Sequence, residues 1–193
     1  MTKQTVKAHS DTQPKHACQA FLLINTNQSP LKLKSEIESQ WAEIAKQDVC
    51  CLWSAALYSP QSVGMYVTAP SRQQIEQTVE ALRGVAGGAQ IEIRLCKQDQ
   101  NVSGLAAFDT SANLWGLISI TLTSEAQTRE IEVLSAVRSV SGLQLARACY
   151  GQSDILGLIN TSTLEELQDI VVRQIRGLQD VATTSTNLVY ELE

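Results

Sequence analysis

The chain has 193 residues, 44% of them apolar, with a formal charge of −5 and a pI near 5.1. That apolar share is enough for a packed core in one domain or two small ones, and it excludes disorder over most of the length. The acidic balance disfavours a nucleic-acid surface, whose affinity comes from clustered Lys and Arg releasing counterions. The most basic stretch, Leu31-Lys32-Leu33-Lys34, runs straight into Glu36 and Glu38, as a solvated helix face does.

Residues 1–17 read as a polar leader without the apolar stretch of a signal peptide, and no later window reaches the ~20 apolar residues of a membrane span, so the cytoplasm is the expected compartment. A strand is expected from Ala20 to Asn25. Ser29-Pro30 then suits the start of a helix whose buried stripe is Leu33, Ile37, Trp41 and Ile44. Strands follow at Val49 to Tyr58 and Val63 to Ala69, joined through Tyr58-Ser-Pro-Gln-Ser62. Ser71-Arg-Gln-Gln74 spells a capping box for a helix that buries Ile75, Val79 and Leu82 and stops at Arg83-Gly84. The alternating Ile91-Glu-Ile-Arg-Leu95 is the closing strand.

The same order then repeats, which is the strongest signal in the sequence. After a linker at 98–114, a strand from Leu117 to Thr123 alternates Ile118, Ile120 and Leu122 against Ser119 and Thr121. Ser124 to Gln127 reads as a capping box for a helix facing inward through Ile131, Leu134 and Val137. Leu143 to Tyr150 and Ile155 to Thr161 form the next strands, joined through Tyr150-Gly-Gln-Ser-Asp154, which aligns with the earlier hairpin and sets Ser62 against Asp154. Thr163-Leu-Glu-Glu166 caps a helix burying Leu164, Leu167, Val171 and Ile175 up to Arg176-Gly177, and a Thr-rich strand runs from Thr183 to Tyr190.

Strand, helix, strand, strand, helix, strand is thus read twice, in units 18–97 and 115–193. The expected class is α+β, with two tandem ferredoxin-like units packed sheet to sheet as an intramolecular dimeric α/β barrel, because each sheet keeps one face bare of helices. Trp53, Leu57, Val63 and Val67 are assigned to that bare face.

The second unit resembles the effector-binding (RAM) domain of Lrp/AsnC regulators in the Gly151-x-x-Asp154 hairpin tip, the capped helix, and the Gly177-Leu-Gln-Asp-Val181 turn into Thr183-Thr-Ser-Thr186. No helix-turn-helix precedes it, so direct DNA binding is not expected. The resemblance implies a regulatory module that senses a small molecule, an amino acid first, through Tyr150, Gly151, Ser153, Asp154, Thr184 and Thr186, with a homo-oligomer or a partner protein as further possibilities. On physical grounds two readings of the hairpin stay open. Gly151 lets a backbone approach a ligand and Asp154 suits an ammonium group, or both simply serve the turn.

Catalysis ranks below binding. Only His9 and His16 exist, both in the leader, which removes an axial ligand for haem from the body of either unit, and no cofactor or metal is expected. The five cysteines, Cys18, Cys50, Cys51, Cys96 and Cys149, lack metal or redox spacing and read as reduced, structural residues. Two alternatives remain: a cofactor-independent enzyme of the dimeric α/β barrel type, such as a monooxygenase, and a peptide-binding chaperone, since Leu188-Val-Tyr190 is similar to the ending of the maturation chaperones of periplasmic nitrate reductase.

Overall fold

The computed structural model describes residues 18–45, 48–58, 62–98 and 114–189. The leader, His9, His16, most of the linker and Tyr190 lie outside the described residues. The first unit comprises β1 (Cys18–Asn25), α1 (Pro30–Ile44), β2 (Cys50–Tyr58), β3 (Val63–Ala69), α2 (Arg72–Val85) and β4 (Gln90–Leu95). The second comprises β5 (Leu114–Leu122), a 3-10 turn (Ala126–Arg129) leading into α3 (Glu130–Arg138), β6 (Leu143–Ala148), β7 (Ile155–Thr161), α4 (Leu164–Asp169) and β8 (Val181–Val189), with a π-helical segment (Ile170–Ile175) after α4.

All eight strands form one sheet in the order β4-β1-β3-β2-β8-β5-β7-β6, so each unit keeps the ferredoxin-like arrangement. One seam between the units pairs Leu57 with Val189 and Tyr58 with Leu188. The other closes the barrel where Cys96 faces Cys149, flanked by Lys97 N–H to Ala148 O at 2.8 Å and Tyr150 N–H to Leu95 O at 2.9 Å. The fold class is therefore the expected one, an intramolecular dimeric α/β barrel.

Packing explains why the two halves stay together. One core lies between the first sheet and its helices around Leu22, Leu33, Ile37, Val67, Ile75 and Leu82, and a second between the other sheet and its helices around Ile118, Ile120, Leu134, Val137, Ile159 and Ile175. A third core lies on the inner faces of the barrel and draws on both halves, with Phe21, Leu23, Leu57 and Tyr66 from one and Leu117, Leu145, Leu156 and Leu158 from the other. Each such Leu is worth about 1.5–3 kcal/mol when fully buried, so neither half has a stable face without the other.

Several local expectations shift. Trp53 and Leu57 do face the lumen, but Val63 and Val67 belong to the helix-side core, and Gly64, Tyr66 and Thr68 alternate with them. Every residue of β3 is buried, so the apolar run does not reveal which set faces which way. The second helix passes through Gly84 to Val85 and ends before Gly87 and Gly88, whose φ values of 60° and 83° suit the left-handed turn. At the third helix the hydroxyl that meets a backbone N–H is that of Thr123, accepting from Ala126 at 3.3 Å, in place of Ser124. Ile131 is 78% exposed and Leu164 is also exposed, because each stands in the first turn of its helix, outside the face that Val133, Leu134 and Leu167 bury. Among the described residues no helix is long and apolar enough to cross a membrane.

Candidate functional site

The hairpin between β6 and β7 brings Tyr150, Gly151, Ser153 and Asp154 together. The Asp154 carboxylate accepts from Leu122 N–H at 2.7 Å, its own N–H donates to Ile120 O at 3.0 Å, and its carbonyl accepts from Cys149 N–H at 2.8 Å. Ser62 makes the same three connections in the first unit, to Thr26 N–H at 3.4 Å, Ile24 O at 2.7 Å and Leu57 N–H at 3.0 Å. The carboxylate thus secures the end of β5 at the point where its register with β8 shifts between Thr121 and Leu122. Tyr150 is 61% exposed with Lys97 Nζ 5.3 Å from its ring centre, and Lys97 is ion-paired to Glu130. Ser153 is half-buried at the tip.

Thr184 and Thr186 do not join that group. They stand opposite Ile120 and Ile118 on β8, so they share the helix-side face of the sheet, with β5 between them and the hairpin. The Thr186 hydroxyl is buried there without a hydrogen bond.

Gly151 leads to the barrel interior. Its φ is 129°, in the region that favours glycine, and a Cβ built on it would run into the Arg94 guanidinium. Arg94 is 4% exposed, pairs with Glu92 at 2.5 Å, and keeps a buried Nε–H without a partner.

Further along the same seam Arg147 is 2% exposed. Its Nε donates to the Tyr66 hydroxyl at 3.0 Å, and that hydroxyl donates to Gln19 Oε1 at 2.8 Å. One Arg147 terminal nitrogen has no partner, and among the described residues no carboxylate lies within ion-pairing distance of it. Burial pushes the Tyr66 phenol far above its usual range despite the neighbouring guanidinium, so it stays a neutral donor. The Cys149 thiol lies 3.9 Å from Cys96 Sγ, and the Cys96 thiol is raised well above its ordinary value by its hydrogen bond with Cys149 and by burial.

The pseudo-two-fold sharpens the meaning of this cluster. The matching bulges in β2 and β6 and the matching seam pairs set Cys149 against Leu57, Cys96 against Val189, Arg147 against Ala55, Tyr66 against Leu158, Gln19 against Trp115 and Arg94 against Asn187. One seam is apolar at nearly every position where the other is polar. An unsatisfied buried polar group costs about 1–3 kcal/mol, which the first seam avoids with side chains that fit the same fold. Sequence reading missed Arg94, Arg147, Tyr66 and Gln19. The available signal was an arginine within each of two short strands, Ile91 to Leu95 and Leu143 to Ala148.

No protein-family model matches the chain, and no curated protein matches it either. Among solved structures, a double variant of the chlorite dismutase of Candidatus Nitrospira defluvii is 14% identical over 93% of this chain and 93% of that one, with a TM-score of 0.58. A single-residue variant of the same enzyme is 13% identical over 91% of each chain, with a TM-score of 0.55. FFRP-DM1 is 20% identical over 40% of this chain and 100% of its own, with a TM-score of 0.37.

These likenesses show the ferredoxin-like fold and not a specific effector-binding (RAM) domain. The expectation of a regulatory sensing module, and the ranking of catalysis below binding, are corrected here. They leaned on one unit, whereas the architecture of both units and the barrel together is shared with enzymes.

Haem, used by haem enzymes of this fold, does not fit these residues. The two histidines lie outside the described residues, and the layer between the second sheet and its helices is filled by Ile118, Ile120, Val133, Leu134, Val137 and Ile170. A macrocycle there would displace a packed core, and no histidine stands among the described residues to ligate it.

Proposed function

We propose that the chain is a cofactor-independent enzyme of the dimeric α/β barrel type, a monooxygenase acting on an electron-rich small molecule, with its working groups on the β4–β6 seam. The observation that carries this reading is the buried Arg147 guanidinium, with a spare N–H and a phenol held on its other edge, at a position whose counterpart is Ala55. Whole-chain likeness to enzymes supports it.

In this reading the free N–H of Arg147 receives the oxygen of a phenol or enol as that oxygen loses its proton, and a charged donor in a water-poor lumen stabilises the resulting anion strongly. Tyr66 stays protonated and orients the guanidinium, with Gln19 fixing the phenol in turn. An anion of this kind is electron-rich enough to reduce dioxygen directly. The net change, RCH2R′ + O2 → RCOR′ + H2O, balances without an external reductant. Units 18–97 and 115–193 act as halves of one working barrel, the hairpin residues Tyr150, Gly151, Ser153 and Asp154 forming the rim over Arg94, with the cytoplasm as the proposed compartment.

Oxygen consumption with a panel of electron-rich hydroxyaromatics tests the reading. The expected result is turnover that falls about 100-fold or more in kcat/KM on Arg147→Met, the scale of losing one oxyanion donor. Absence of oxygen uptake across the panel, or an Arg147→Met protein as active as the parent, overturns it.

A further inference from the structure

We propose that Cys96 and Cys149 form a reversible disulfide that locks the second seam of the barrel. The two residues face each other in an antiparallel bridge, and the flanking hydrogen bonds run from Lys97 N–H to Ala148 O and from Tyr150 N–H to Leu95 O. That pattern makes them a non-hydrogen-bonded pair, the site where facing Cα atoms approach to about 4.5 Å and side chains are closest. Disulfides span Cα separations of roughly 4.4–6.8 Å, so the backbone already has the required spacing. The sulfurs are 3.9 Å apart, and rotation of the side chains covers the rest. Closure would join residues 53 apart in sequence and would cross-link the first unit to the second.

The seam gives such a bond a purpose. Among the described residues its backbone pairing is a single bridge flanked by two hydrogen bonds, and its counterpart, Leu57 opposite Val189, has no cross-linking chemistry. The inference stands on seam geometry alone and is independent of the proposed activity.

A hydroperoxide is the oxidant class that balances the step. Cys96 is half-buried and Cys149 fully buried, so the Cys96 sulfur is the one reached first. An S–O bond forms there as the O–O bond of hydrogen peroxide breaks, with release of water. The Cys149 sulfur then displaces the oxygen as a second water, and the S–S bond forms. Two thiols and one peroxide give one disulfide and two waters, the sulfurs together giving up two electrons.

The test is to treat the native protein with hydrogen peroxide, alkylate the remaining thiols and map the peptides. The expected result is a linked Cys96–Cys149 peptide, together with a rise in Tm of roughly 5–15 °C that dithiothreitol reverses. Both signals should vanish in Cys96→Ser and in Cys149→Ser, and both should persist when Cys18, Cys50 and Cys51 are all replaced by Ser. Full alkylation of Cys96 and Cys149 after oxidation, a cross-link elsewhere such as Cys50–Cys51, or a linked protein with unchanged Tm overturns the proposal.

Discussion

Asp154 and Ser62 hold the same three backbone groups in the two halves, one with a carboxylate and one with a hydroxyl. Asp154→Ala leaves the Leu122 N–H without its acceptor, and a loss of about 1–3 kcal/mol is expected in urea unfolding. Asp154→Ser should recover most of it, since the first unit already runs on that chemistry. A second expectation concerns alkaline pH. Burial pushes the Cys51 thiol up to about 12 and raises the Tyr66 phenol as well, so the folded state keeps protons that the unfolded chain gives up. Their stabilisation is complete below the unfolded thiol's pKa of about 8.5 and is lost as pH rises towards the folded values. Denaturation midpoints should therefore fall steadily above about pH 8.5, and Cys51→Ala should flatten that decline.

The equivalence of the two hairpins was legible in the sequence because the aligned residues flank strands of the same length. The pairing of Arg147 with Tyr66 was not. Those residues are 81 apart and meet across a seam that only closure of the barrel creates. Period-2 patterning tells inside from outside when one face is wet, and here β3 and β7 are buried on both faces.

Local chemistry was most readable at the level of single elements. Ser71 and Thr163 were recognised as caps from the residue three places on, and each accepts from that residue's backbone N–H, at 3.4 Å from Gln74 and 3.1 Å from Glu166. Glu166 also reaches back past the cap to accept from Ser162 N–H at 2.9 Å. Ser71→Ala and Thr163→Ala should each cost about 1 kcal/mol in denaturant unfolding, and because the caps share no partners their effects should add in the double variant. After Asp169 the expected buried positions Val171 and Ile175 hold, although the helix changes type. From Ile170 to Ile175 the chain widens to a π-helix, which moves each later side chain round the axis relative to an α-helix. Ile175 is nonetheless fully buried while Val172 is exposed.

On the scale of the whole molecule the decisive feature is a lumen core that neither half owns. Phe21, Leu23 and Tyr66 come from one unit and Leu117, Leu156 and Leu158 from the other, so the protein should unfold in a single transition by calorimetry and circular dichroism alike. Leu117→Ala removes a fully buried side chain from that shared layer and should cost about 2–5 kcal/mol while keeping the transition single. Two resolved transitions would mean that the halves hold their folds separately.

A barrel assembled from two identical chains has to present every interior group twice, once on each flank. Here a continuous polypeptide carries both flanks, and its interior has one greasy wall and one wall of arginine, tyrosine, glutamine and thiol. Fusion thus frees each wall to change alone, and whatever the polar wall accommodates is met once per molecule and from one side.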